Sequence, residues 1–132
     1  MKRLLMIAGT ALIAFTAQAS AEGDPAKGEK VFKKCAACHA VGEGAKNKVG
    51  PQLNGVVGRA WGTIDGYKYS ATLKEGADEG RVWDVETLDA YLLKPRDVIP
   101  KGRMAFAGLR KDEDRADVIA YLSQYSEDGT TN

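Results

Sequence analysis

The clearest alternation of apolar and polar positions lies near the C-terminus, where Val118, Ile119, Leu122 and Tyr125 recur at helical spacing. Asp112 is placed to cap that helix, and Glu113 and Asp114 suit its positive end. A second helix is predicted from Asp84 to Lys94, with Asp84 as cap, Leu88, Tyr91 and Leu92 on one face, and Pro95 as its stop. A third begins at Asp24-Pro25 and runs to about Cys35. Gly28 inside it costs helix propensity, which close approach of another helix would explain. Ser70 to Glu75 predicts a short helix capped by Ser70. The glycine-rich stretch from Ala40 to Ala60 has no strand alternation, and Pro95 to Leu109 has no regular period. Glu127 to Asn132 reads as a frayed end.

The first residues follow another pattern. Lys2-Arg3 is positive, Leu4 to Ala17 is almost wholly apolar, and Ala19-Ser20-Ala21 is a small-x-small cleavage site. That order predicts a signal peptide over residues 1–21, cleaved after Ala21, and one domain over 22–132 in the periplasm. A retained membrane anchor is the weaker reading, because the apolar run is short for a bilayer and the cleavage site follows at once. Loss of Lys2 and Arg3 takes the formal net charge from +1 to about −1, which argues against a nucleic-acid partner.

A mature chain this small, with such long irregular stretches, lacks the side chains to hold its loops in place. A large internal apolar ligand would supply the missing surface. Cys35-Ala36-Ala37-Cys38-His39 names one, because it matches the haem-attachment pattern in full. Two thiols three residues apart can reach both vinyl groups of one haem, and the adjacent imidazole then lies over the iron. A disulfide or redox dithiol would need only the two cysteines, and no β-α-β pattern surrounds them. A closed zinc site would need a fourth ligand beyond two cysteines and one histidine. After cleavage Met104 is the sole methionine, so elimination makes it the second axial ligand. A thioether there stabilises ferrous iron and raises the potential.

An ordered set of segments extends from Gly23 to Tyr125: Gly28 and Phe32, the Cys35–His39 motif, Val49-Gly50-Pro51-Gln52-Leu53-Asn54-Gly55, Gly58-Arg59, Tyr67-Lys68-Tyr69, Trp83, Tyr91-Leu92 with Pro95, Ile99-Pro100 with Met104 to Gly108, and Arg115 to Leu122. In this set the chain resembles the class I cytochromes c, the small mitochondrial and bacterial electron carriers. The resemblance implies an all-α fold of short helices and long loops around one covalent haem c. It implies that Pro51 offers its carbonyl to His39, and that Gly28 and Phe32 meet Val118 and Tyr121. Arg59, Tyr69 and Trp83 would serve the haem propionates, Tyr91 would set its hydroxyl beside the Met104 sulfur, and Phe106 would pack near the exposed haem edge. Three departures stand out. Gly102 replaces a hydroxyl residue, implying a looser Met104 loop. Asn47 replaces a histidine, implying a lost loop brace. The segment from Tyr69 to Trp83 is a few residues longer than in the mitochondrial form.

With both axial positions filled, the expected role is a monomeric electron carrier and not an enzyme. A ligand-binding haem peroxidase or a gas sensor would need an open iron position. Expected partners are a quinol-oxidising cytochrome complex as donor and a terminal oxidase, photosynthetic reaction centre or soluble reductase as acceptor, in respiration or photosynthesis. Lys33, Lys34, Lys46, Lys48, Arg96, Lys101 and Arg103 are the candidate docking charges.

Overall fold

The computed structural model describes residues 23–132 together with Gly9, so the signal peptide expected over residues 1–21 lies outside the described residues. Among the described residues five helices follow in order: α1 (Pro25–Phe32), α2 (Ala71–Asp78), α3 (Val85–Leu93), α4 (Pro95–Val98) and α5 (Asp112–Ser123). Among the described residues the only β pairing is two isolated antiparallel bridges, Ala60 with Val82 and Tyr125 with Thr131. The architecture is all-α.

Local chemistry explains most boundaries. The Asp24 carboxylate accepts from the Ala26 N–H at 2.9 Å, with Pro25 in the first helical position. Ser70 and Asp84 cap α2 and α3 in the same way. Pro95 stops α3 by holding Lys94 extended, yet it also opens α4. A proline has no N–H to lose at the first position of a helix.

Three expectations need correction. α1 ends at Phe32, and the chain reaches His39 through tight turns, with the Cys38 and His39 N–H groups both donating to Cys35 O. Asp112 is the first residue of α5 and does not cap it. Its carboxylate pairs with Arg115 one turn on, and Lys111 occupies the capping position. The C-terminal end is folded back instead of frayed. Asp128 accepts from both the N–H and hydroxyl of Thr130, Ser126 N–H donates to Thr130 O at 2.9 Å, and Asn132 N–H donates to Gln124 O at 3.0 Å. Gly129, at a φ of 86°, turns against the Gly42 carbonyl where a side chain would collide.

The frame of the molecule is the crossing of α1 and α5. A Cβ on Gly28 would strike the Asp117 carbonyl and the Tyr121 Cβ, so the helices meet at backbone distance. Asp117 also accepts from the Asp24 N–H at 2.8 Å, and the Phe32 and Tyr121 rings stand 5.4 Å apart. α3 is joined to α5 by Arg115, which is buried. Its guanidinium donates to Asp89, to Asp112 and to the carbonyls of Leu109 and Arg110. Burying that charge is tolerable because its donors find acceptors on several sides.

Candidate functional site

One apolar cavity lies between the α1–α5 frame and the loops, and it gathers residues from every part of the described chain. Cys35, Cys38 and His39 line it from the turn after α1, with Pro51 from the loop beyond. Arg59, Tyr69 and Trp83 line it from the middle of the chain, and Tyr91, Met104 and Phe106 from α3 and the loop before α5. Residues from Phe32 to Leu122 thus share one wall system, and the intervening surface is mostly aliphatic and aromatic.

His39 is positioned by backbone. Gly50 N–H donates to Cys38 O at 2.8 Å, Leu53 N–H to Ala40 O at 3.0 Å, and Lys48 N–H to Gly50 O at 2.9 Å. The loop therefore closes on the motif, and Gly50 lies so near the imidazole that a Cβ there would collide with the ring. Nδ1 lies 2.7 Å from Pro51 O. A carbonyl can only accept, so Nδ1 carries the proton and Nε2 keeps a free lone pair. Burial lowers the pKa of the ring, against the opposing Pro51 hydrogen bond, so the imidazole is held neutral and able to bind a metal.

Cys35 and Cys38 are not joined to each other by a disulfide. Burial pushes the Cys35 thiol up, with Lys34 opposing, which is the reverse of the lowered pKa that activates a redox dithiol. Among the described residues no group of three or more His, Cys, Asp and Glu side chains converges as a metal site would require.

The other walls supply a thioether, aromatic surface and one cation. Tyr91 Oη donates to Met104 Sδ at 3.6 Å, and the Tyr91 ring packs 4.9 Å from Trp83. Burial pushes the Tyr91 phenol up to about 12, so the donor stays protonated. Trp83 is brought to Arg59 by backbone pairing: Trp83 N–H donates to Arg59 O at 2.8 Å and Gly58 N–H to Trp83 O at 2.6 Å. Arg59 Nη1 donates to Gln52 O and Asn54 O, at 3.1 and 3.0 Å, while its buried Nε has no protein partner. Burial pulls its guanidinium below the usual range, opposed by Tyr69 and Glu127. Tyr69 Oη accepts from the Ile64 N–H at 3.1 Å and keeps its own hydrogen to donate. Free N–H and O–H donors beside an apolar cavity fit a ligand that carries carboxylates on one edge. Two thiols, a basic imidazole nitrogen and a thioether fit an iron macrocycle for the rest.

Asn47, expected to weaken the loop, braces it. Its amide donates to Asp65 O and its oxygen accepts from Gln52 N–H, each at 3.0 Å. The correction is physical: a short amide with both a donor and an acceptor ties two loops at once. Of the candidate docking charges, Lys34 and Arg103 line the cavity, and all seven side chains belong to exposed residues. Lys48 Nζ reaches Ala36 O at 2.7 Å, inside the motif. A second, polar hollow lies between residues 45–54, 63–65 and Glu127. It shares Arg59 with the apolar cavity but contains no cysteine, histidine or methionine.

Two structural residues escaped the sequence. Trp61 is 1% exposed and stacks 4.7 Å from Trp83, although its neighbour Ala60 is bridged only to the distant Val82. Asn54 is buried and bonds both N–H and C=O of Gly42, at 2.8 and 2.9 Å. A buried asparagine must find such partners, yet nothing local names Gly42.

The sequence model of the cytochrome c family matches residues 25–126. The chain is 56% identical to cytochrome c-550 of Ancylobacter novellus, over 80% of this chain and 99% of that one. It is 54% identical to cytochrome c2 of Agrobacterium tumefaciens (strain II Chrys), over 76% and 91% of the two chains. Among solved structures, cytochrome c2 from Rhodospirillum centenum superimposes with a TM-score of 0.73 at 44% identity, covering 79% of this chain and 99% of that one.

Proposed function

Since the chain belongs to the cytochrome c family, we propose that it is a periplasmic single-electron carrier in which His39 and Met104 would hold the haem iron. It carries one haem c, bound covalently through Cys35 and Cys38, which supplies the one-electron change of its iron. The observation that carries the reading is the presence of both thiols, the His39 imidazole and the Met104 thioether around one apolar cavity.

Each side chain then has a task. Pro51 fixes the imidazole proton on Nδ1 and orients Nε2 as the donor nitrogen. Tyr91 bonds the sulfur and draws electron density from it, which favours the reduced state. Arg59, Tyr69 and Trp83 stand on the propionate side, and Phe106 keeps water from the exposed edge of the ring. Two protein ligands leave no position for a substrate, so carriage rather than catalysis is the role. The proposed donor is a quinol-oxidising cytochrome complex. The proposed acceptor is a terminal oxidase, a photosynthetic reaction centre or a soluble reductase, engaged briefly through basic side chains.

Met104→Ala tests the ligand assignment. The sulfur–iron absorption band of the ferric protein should vanish. The reduction potential should fall by on the order of 100 mV or more, well inside the ~0.8 V that axial ligands span. A band that persists in the variant would exclude Met104.

A further inference from the structure

The loop that bears Met104 has almost no backbone attachment to its surroundings. Between Pro100 and Gly108 the one backbone hydrogen bond from an N–H is local, Gly102 to Ile99 at 3.1 Å, and the next bond outward comes at Leu109, which donates to Leu92 O. Lys101 within it holds a φ of 61°, in the left-handed region that an ordinary side chain disfavours. Something other than backbone pairing must keep this loop in place.

Side-chain hydrogen bonds do so: Tyr91 reaches the Met104 sulfur from α3, and two more bonds end on one short segment. Thr72 Oγ1 donates to Pro100 O at 2.8 Å, across 28 residues of sequence, and Arg103 Nη1 donates to Lys68 O at 3.1 Å, across 35. That segment is itself fixed on its far side. Tyr67 Oη donates to Val49 O at 3.0 Å, and Val49 precedes the Gly50 that packs against the His39 ring. Residues 67–72 therefore span from the His39 loop to the Met104 loop over the cavity.

We infer that residues 67–72 are a clasp that positions the Met104 thioether, with Thr72 and Arg103 as its positioning residues. The inference rests on the proposed Met104 ligation and assigns what keeps that ligand in reach. Thr72 is the better probe of the two, because Arg103 is also a candidate docking charge. It stands in the first turn of α2, where valine keeps the shape and a similar helix propensity but cannot donate to Pro100 O.

The test uses the full haem-bearing protein and follows two signals in rising denaturant. One is the sulfur–iron band of the ferric form, which reports the Met104 loop alone; the other is far-UV dichroism, which reports the helices. In Thr72→Val the band should be lost at lower denaturant while the dichroic transition stays in place. The opening equilibrium of the loop should rise by about threefold to tenfold, the worth of one hydrogen bond. Thr72→Ser should restore the parent behaviour. An unmoved band, a band and dichroism that shift together, or a serine variant no better than valine would each overturn the clasp. A parent that shows no such band would instead overturn the Met104 assignment, and the clasp with it.

Discussion

On the His39 side of the cavity the backbone is bonded to itself: Gly50 N–H to Cys38 O, Leu53 N–H to Ala40 O, and the Pro51 carbonyl to the imidazole. On the Met104 side the nine residues from Pro100 to Gly108 rely on side chains of Thr72, Arg103 and Tyr91. The first kind of wall opens only when the fold does, because its bonds belong to the turn that follows α1. The second can open by itself, since each bond is single and two of the three are exposed. With His39 and Met104 as the proposed ligands, a carrier built this way would have one ligand set by its architecture and one held by removable ties.

The largest effect should come from breaking the frame that supports the His39 side. In Gly28→Val the new side chain meets the Asp117 carbonyl and Tyr121 Cβ, neither of which can swing aside. The cost should be about 3 kcal/mol, at the upper end for overpacking, against the 5–15 kcal/mol of a typical domain. Denaturant titration of the haem-bearing protein should show the band and the helices lost together. Separate transitions would mean that the Met104 wall still fails first and that the frame does not limit the His39 side.

The same contrast separates what the sequence displays from what it hides. The His39 wall is legible because its chemistry is contiguous: five residues from Cys35 to His39 name the ligand, and Asp24, Ser70 and Asp84 announce the helices by their capping chemistry. Asp112 has that chemistry too, yet Arg115 claims its carboxylate and Lys111 takes the cap position. The Met104 wall depends on pairs 28 and 35 residues apart, which no local period encodes. Trp61 is hidden for the same reason, as its burial follows from packing under Gly76 and against Trp83. The folded tail is hidden because its polarity resembles that of a frayed end. Asp128-Gly129 is a turn signal, and it seats the tail against Gly42.

A second measurement sharpens the Met104 side. The Tyr91 phenol, pushed up to about 12 by burial, keeps its proton in the folded chain after the unfolded chain has lost its own near 10. The folded state thus binds the extra proton between those values, and stability falls as pH rises through the window. The loss attributable to Tyr91 should reach about 1.4 kcal/mol by pH 11. Tyr91→Phe should be free of it, so the difference from the parent should stay constant up to about pH 9 and then shift in favour of Phe. Denaturant midpoints from pH 7 to 11 would show this. Parallel curves throughout would mean that the phenol is not buried when haem is present.

The smallest effect concerns docking, and it can separate charge from architecture because the two walls each present one basic side chain at the cavity. Lys34 precedes Cys35 on the rigid wall, while Arg103 precedes Met104 on the tethered one. Only Arg103 also bonds the clasp, through Lys68 O. Lys34→Glu should therefore slow second-order electron transfer to a membrane oxidase or reaction centre by about threefold to tenfold at low salt, through association alone. The deficit should shrink as ionic strength passes 0.1 M, where screening acts within about 10 Å, and the sulfur–iron band should not change. Arg103→Glu should show the same salt-dependent deficit together with earlier loss of the band in denaturant, and that part should persist in high salt. Asp114→Lys, on α5, should alter neither. Stopped-flow rates across a salt series, with the band recorded in parallel, distinguish the three. If Lys34→Glu and Arg103→Glu behaved identically in both signals, Arg103 would act as a docking charge only, and Thr72 alone would remain as the tie from residues 67–72 to the Met104 wall.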